Sequence, residues 1–206
     1  MGDSAVSAVL SYLNSGHMVN EINFTYIVLI PKVKMPEKMI DYRPISLCNV
    51  ISKIIAKVLA NRLKQILLHV ISPTQNAFVL GGLIIDNILV AYEVLHAMHC
   101  KKKGKKGGLA LKLDVSKAYD KVKWGFLQGI LTKLGFLEGW VKLMMGCVTT
   151  TSFSILIDGK PHGHIIPSRG LRQRDPLSPY LFLLCAEGFI SLLQHAKAEE
   201  DPWPFY

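Results

Sequence analysis

An apolar run that ends on an acid limits this chain more than any other feature. Leu109-Ala110-Leu111-Lys112-Leu113 reads as a short buried strand, and the next residue is Asp114. Gly107 and Gly108 precede the run, and Ser116-Lys117-Ala118-Tyr119-Asp120 follows it, as where a strand stops and a helix begins. Any fold must cover that strand and also compensate a carboxylate at its carboxyl end, because an uncompensated charge there costs free energy. Asp114 can cap the following helix, meet an Arg or Lys, or ligate a divalent cation. The stretch by itself leaves capping and cation binding equally open.

The rest of the chain supplies elements around this strand. Residues 3–14 predict a short helix with Val6, Val9, Leu10 and Leu13 on one side. Asn23 to Ile30 is β-rich and stops at Pro31. The basic, proline-broken segment 32–38 follows, then an extended piece from Tyr42 to Leu47. Asn49 opens the clearest helix, to about Val70, with an apolar stripe that includes Ile51, Ile54, Ile55, Val58, Leu59, Leu63, Ile66 and Leu67. Residues 73–82 read as a loop. Asp86 is placed to cap a helix ending near His99, with Ile88, Tyr92 and Leu95 inward. The lysine-rich run 101–106 leads into the central strand and reads as a solvated turn or a phosphate-contacting loop. Two further helices are expected over 124–134 and 138–149. A hairpin is expected over 152–166, turning at Asp158-Gly159. Ser178 as N-cap with Pro179 behind it starts a long helix to about Lys197.

Half of the 206 residues are hydrophobic, enough for a packed core and against global disorder. The formal charge of +9 favours phosphate-rich partners. The four cysteines show no metal-ligand spacing and read as free thiols in a reducing compartment. No apolar run is long enough for a membrane span, and the amino end is no secretory signal. The expectation is an intracellular protein, nuclear or cytoplasmic, with no membrane partner.

Four stretches stand in a telling order: Ile27-Val28-Leu29-Ile30-Pro31-Lys32 with Asp41-Tyr42-Arg43-Pro44-Ile45-Ser46-Leu47; Val58-Leu59-Ala60-Asn61-Arg62-Leu63; the strand ending at Asp114; and Ser168-Arg169-Gly170-Leu171-Arg172-Gln173-Arg174-Asp175-Pro176-Leu177-Ser178-Pro179. Together they resemble the reverse transcriptase of non-LTR (LINE-type) retrotransposons, in the form abundant in plants, from about residue 5 to about residue 197. The fold implied is α+β, a partial right-hand polymerase. Its fingers would span residues 1–106 and an incomplete palm 107–198, with an antiparallel palm sheet carrying helices on one face and an unstructured tail over 199–206.

The resemblance also implies roles. Asp114 would be catalytic and would ligate Mg2+, with the backbone carbonyl of Val115 as a further ligand. Arg43 would hold the triphosphate of the incoming nucleotide, a task that suits the fixed donor fork of a guanidinium; Lys32 could assist. Tyr119 would lie beneath the sugar, or else is a core aromatic. Gln173 would sit near the nascent base pair, with Arg169 and Arg172 near backbone or phosphate, or solvated. The partners implied are an RNA template, a DNA primer and deoxynucleoside triphosphates. The reaction is attack of a primer 3′-hydroxyl on an α-phosphate, with two metal ions carrying the developing charge.

Three departures stand against that pattern. The family's downstream aromatic-x-Asp-Asp motif has no counterpart, for the sequence holds no Asp-Asp pair. Arg174 replaces a family glycine that would permit an unusual backbone angle or close approach of a nucleotide. Leu80-Gly81-Gly82 stands where the family has Pro-Gly-Arg. The expectation is therefore a truncated polymerase domain, inactive as it stands. The alternatives are a non-catalytic basic module that binds RNA or RNA–DNA hybrid, and a non-functional retroelement relic.

Overall fold

The computed structural model describes residues 2–72, 84–100 and 117–198. Helix α1 (Gly2–Ser15) leads through a one-turn helix α2 (Asn20–Asn23) into strand β1 (Phe24–Pro31). A 3-10 turn (Met39–Asp41) precedes β2 (Tyr42–Cys48), after which come α3 (Val50–Val70) and α4 (Ile84–Cys100). The third described segment holds α5 (Ala118–Lys121), α6 (Trp124–Lys133), α7 (Glu138–Thr149), β3 (Ser152–Ile157), β4 (Lys160–Ile165) and α8 (Ser178–Ala198). The fold is mixed α/β. The short helices α2 and α5 had no signal in the sequence, since one turn is too little for periodicity to register.

The strands form one sheet in the order β2-β1-β3-β4. β1 pairs antiparallel with β2, and β3 with β4, but β1 and β3 run parallel, with Thr25 opposite Phe153 and Ile27 opposite Ile155. The sheet described is thus mixed and not purely antiparallel. The hairpin expected in the palm joins the same sheet as the strands expected in the fingers. The proposed boundary at 106, the strand 109–113 and the tail 199–206 lie outside the described residues. The β3–β4 turn is set by Asp158 (φ 49°) and Gly159 (φ 75°), two left-handed residues of the kind that match the twist of a tight hairpin.

Helix α3 is the spine of the core. Asn49 caps it by accepting a hydrogen bond from the Ile51 amide at 2.9 Å. Ile55, Leu59, Leu63 and Leu67, spaced by four, are all fully buried, whereas Ile54 and Ile66 stay partly outside. The buried face is therefore the narrow i, i+4 ridge that seats between neighbouring helices. It packs with Leu127 and Leu131 of α6, Met144 of α7, and Leu181 and Leu184 of α8. Each such side chain contributes about 1.5–3 kcal/mol on burial. Tyr12 of α1 adds a polar tie to α7, donating to the Leu143 carbonyl at 2.5 Å.

Helix α4 departs from expectation in two ways. It begins at Ile84, so Asp86 falls inside it and does not precede it. Ile88, Tyr92 and Leu95, expected to point inward, are each at least 60% exposed. Its apolar residues run round the helix, Ile85, Leu89, Val90 and Val94 being exposed as well. Periodicity names a stripe but not the surface that covers it.

Candidate functional site

The loop between β4 and α8 carries the residues singled out from the sequence, and its backbone is strapped to the segment around α5. The Gly170 amide donates to the Val122 carbonyl at 2.8 Å and the Leu171 amide to the Tyr119 carbonyl at 2.9 Å. The Trp124 indole closes the strap, donating to the Gly170 carbonyl at 2.8 Å. Gly170 has φ +97°, and a Cβ there would come within 3.3 Å of the Asp120 backbone. Only glycine supplies both the backbone angle and the approach.

Arg172 fixes the other side of the loop. The sequence reading placed it near backbone or phosphate, or solvated; it is not solvated. Its guanidinium is buried and donates from Nε and Nη2 to Asp175 Oδ2 at 3.1 and 2.5 Å, and from Nη1 to Asn23 Oδ1 at 2.9 Å and Thr25 Oγ1 at 3.0 Å. Asn23 in turn donates to the Cys147 carbonyl and to the Thr150 and Thr151 hydroxyls. Asp175 Oδ1 accepts from the Leu177 amide at the start of α8. One buried ion pair thereby ties the start of β1, the end of α7 and the entry to α8. Both charges are paired and hydrogen-bonded, the condition under which burial is tolerable. The signal that could have shown this was the Arg-x-x-Asp spacing just ahead of a helix start.

Between the loop and the sheet lies a cavity of about 230 Å³. Arg169, Gly170 and Gln173 of the loop line it, together with Asp120, and with Pro44 and Ser46 of β2. Arg169 and Gln173 are exposed. The first motif stretch and the fourth therefore meet on one cavity, with Asp120 at its wall. Other sequence-selected residues fall elsewhere. Arg43 is exposed on β2 and, by strand alternation, points away from the face that carries Pro44 and Ser46. Tyr119 stacks on Phe182, with ring centroids 5.0 Å apart, and is half-buried; burial raises its phenol pKa. Lys32 donates to the Ile40 carbonyl at 2.7 Å, closing the loop before β2. Arg174 is exposed at φ +62°, so the backbone takes up the left-handed angle although a side chain stands there.

Burial disfavours the thiolate at three of the cysteines. Burial pushes Cys147, which lines the cavity, and Cys185 up to about 12, and raises Cys48. Asp114 and Val115 lie outside the described residues. Among the described residues no cluster of His, Cys, Asp and Glu could hold a metal ion. Of the acids at the cavity, Asp175 is committed to Arg172 and Asp120 is exposed. The described residues thus do not by themselves make a magnesium site.

A family profile described as reverse transcriptase (RNA-dependent DNA polymerase) matches residues 30–201. The chain belongs to the reverse transcriptase family. It is 32% identical over 169 residues to an uncharacterised 149 kDa protein of transposon TX1 from Xenopus laevis, covering 81% of this chain and 12% of that protein. It is 29% identical over 178 residues to a retrovirus-related Pol polyprotein of a type-2 retrotransposable element from Drosophila melanogaster, covering 86% of this chain and 16% of the polyprotein. Over 44 residues it is 54% identical to an uncharacterised mitochondrial protein of Arabidopsis thaliana, 21% of this chain and 36% of that one. The reverse transcriptase chain described here thus spans a small part of the long retroelement proteins it resembles. These relatives place it with reverse transcriptases of non-LTR retrotransposons. No helix among the described residues is long and apolar enough to cross a membrane.

Proposed function

We propose that this chain is part of the RNA-directed DNA polymerase of a plant non-LTR retrotransposon, forming fingers and part of the palm of a right hand. The observation that carries the reading is the shared cavity. Gln173 and Arg169 from the loop meet Pro44 and Ser46 from the first motif stretch there, beside the residues that follow Asp114. Separate stretches converging on one concave surface are what a substrate site requires. In this reading Gln173 faces the base pair being formed. Tyr119, held by Phe182, limits the sugar. Arg43, the expected triphosphate contact, stands on the opposite face of the sheet and is not assigned to a nucleotide in the cavity. Asp114 and the Val115 carbonyl would hold Mg2+, which would supply neutralisation of charge on the reacting phosphates. The partners are an RNA template, a DNA primer and deoxynucleoside triphosphates, and the positive charge favours all three.

The 206 residues contain no Asp-Asp pair. A polypeptide of these residues alone is therefore expected to bind an RNA–DNA template–primer without extending it, and a chain that also carries the pair to do both. Binding is read by fluorescence anisotropy at two salt concentrations, extension by primer-extension gels with magnesium. Gln173→Ala should weaken retention of a matched nucleotide on the hybrid. Template-dependent extension by the 206-residue polypeptide would refute the assignment of roles, and absence of salt-sensitive hybrid binding would refute the polymerase reading itself.

A further inference from the structure

Helices α6 and α8 touch at Gly188, where a Cβ would overlap Ile130 Cδ1 and stand 2.9 Å from Ile130 Cγ1. Beside that contact lies a cavity of about 580 Å³, larger than the one of about 230 Å³ at the motif loop, and the two share no lining residue. The space exists because its α6 wall lacks side chains. Gly125 and Gly129 stand one turn apart on that helix, and a Cβ at either would meet nothing within 4 Å. Phe126, Ile130 and Leu192 make the walls apolar. Glu187 interrupts them: its Oε2 is buried and has no hydrogen-bond partner among the described residues. Ser191, one turn further along α8, lines the cavity but does not bond to that oxygen. Lys133 lines it too, yet is exposed and forms no ion pair with Glu187.

A carboxyl oxygen sealed from solvent without a donor carries the full cost of its desolvation. A ligand that brings a donor removes that cost, and one that brings a positive charge with it makes the stronger bond. Small-molecule sites join apolar walls to a few placed polar groups in about 300–1,000 Å³. This recess between two helices has that volume and that make-up. We propose that it binds a compact apolar amine, the protonated nitrogen donating to Glu187 Oε2 and the apolar body lying over Gly125 and Gly129 against Phe126. Lys133 limits the ligand to one positive charge, because a second ammonium on the same molecule would face its own. The inference goes beyond the polymerase reading and does not rest on it.

The test titrates the whole 206-residue chain with tryptamine by calorimetry, beside indolepropionate, which carries the opposite charge on the same ring system. The chain's charge of +9 would draw the acid non-specifically, so a preference for the amine reports the cavity. Tryptamine should bind at least about tenfold more tightly than indolepropionate, and Glu187→Gln should weaken it by a similar factor. Gly129→Leu should abolish binding by filling the space. Its melting temperature should not fall, because leucine is the better helix former and its Cβ meets no neighbour. Lys133→Met should leave tryptamine binding at least as tight. The comparison of the two probes needs no substitution, so it decides the matter even if a variant fails to fold. The proposal is overturned if the wild type binds neither probe or both alike, or if folded Gly129→Leu binds tryptamine as well as the wild type does. It is also overturned if Gly129→Leu changes self-association in sedimentation and not tryptamine affinity, which would make the groove a seam between copies. Salt-sensitive hybrid binding is a separate measurement, and the polymerase reading stands or falls by it alone.

Discussion

Replacing Arg172 by Met tests whether the loop is held as described. The substitution keeps much of the side chain's length and removes four donated hydrogen bonds. It leaves the Asp175 charge without its partner at a site only 6% exposed, which costs about 3–5 kcal/mol. Asn23 Oδ1 and Thr25 Oγ1 each lose a donor while fully buried, adding about 1 kcal/mol apiece. The sum is about 5–7 kcal/mol against a typical total stability of about 5–15 kcal/mol. Arg172→Met should therefore lie near the edge of folding. Arg172→Lys, which keeps the charge and loses the fork, should cost less. Urea unfolding followed by circular dichroism reads both. The pair Arg172→Met with Asp175→Asn completes a double-mutant cycle, in which the double variant should lose at least about 2 kcal/mol less than the sum of the singles. A cost below about 1 kcal/mol for Arg172→Met, or strict additivity, would mean the guanidinium is not the tie that the geometry implies.

Arg174→Gly should stabilise the chain. A side chain at φ +62° costs about 1–2 kcal/mol, and glycine gives back about 0.5–1 kcal/mol through the unfolded chain, for a net gain of about 0.5–1 kcal/mol. The melting temperature should rise by about 1–4 °C; a fall would show that the Arg174 side chain makes a contribution of its own. Cys147 and Cys185 should resist a thiol reagent at pH 8, while the exposed Cys100 reacts at once. Their folded pKa values lie above the ordinary 9.0, so the linked stability is complete below about pH 9 and is lost as pH rises toward 12. Fast labelling of Cys147 near neutrality would contradict its burial.

What the sequence disclosed depended on how local each cause was. α3 was legible because its ridge repeats every four residues and Asn49 caps it two residues before Ile51. The β3–β4 hairpin was legible because Asp-Gly is itself the turn. The parallel pairing of β1 with β3 was not, since it joins Phe24 to Ser152 and nothing in either strand names the other. The inward side of α4 was misjudged for the same reason. The loop before α8 shows where this matters for function. Arg169, Arg172, Gln173 and Asp175 are all polar, nearly adjacent and at the cavity wall, yet two are exposed and two are buried in an ion pair whose guanidinium is also held by Asn23 and Thr25, at the far end of the chain. Residue type cannot sort them; only the partner can. The sorting has a physical purpose, because a side chain that must present itself to a substrate loses less freedom when its neighbours are already fixed. Gln173 and Arg169 are displayed on a backbone held by Gly170 on one side and by Arg172 and Asp175 on the other. The motif is therefore better understood as two outward residues mounted on an inward clamp than as a row of candidate ligands.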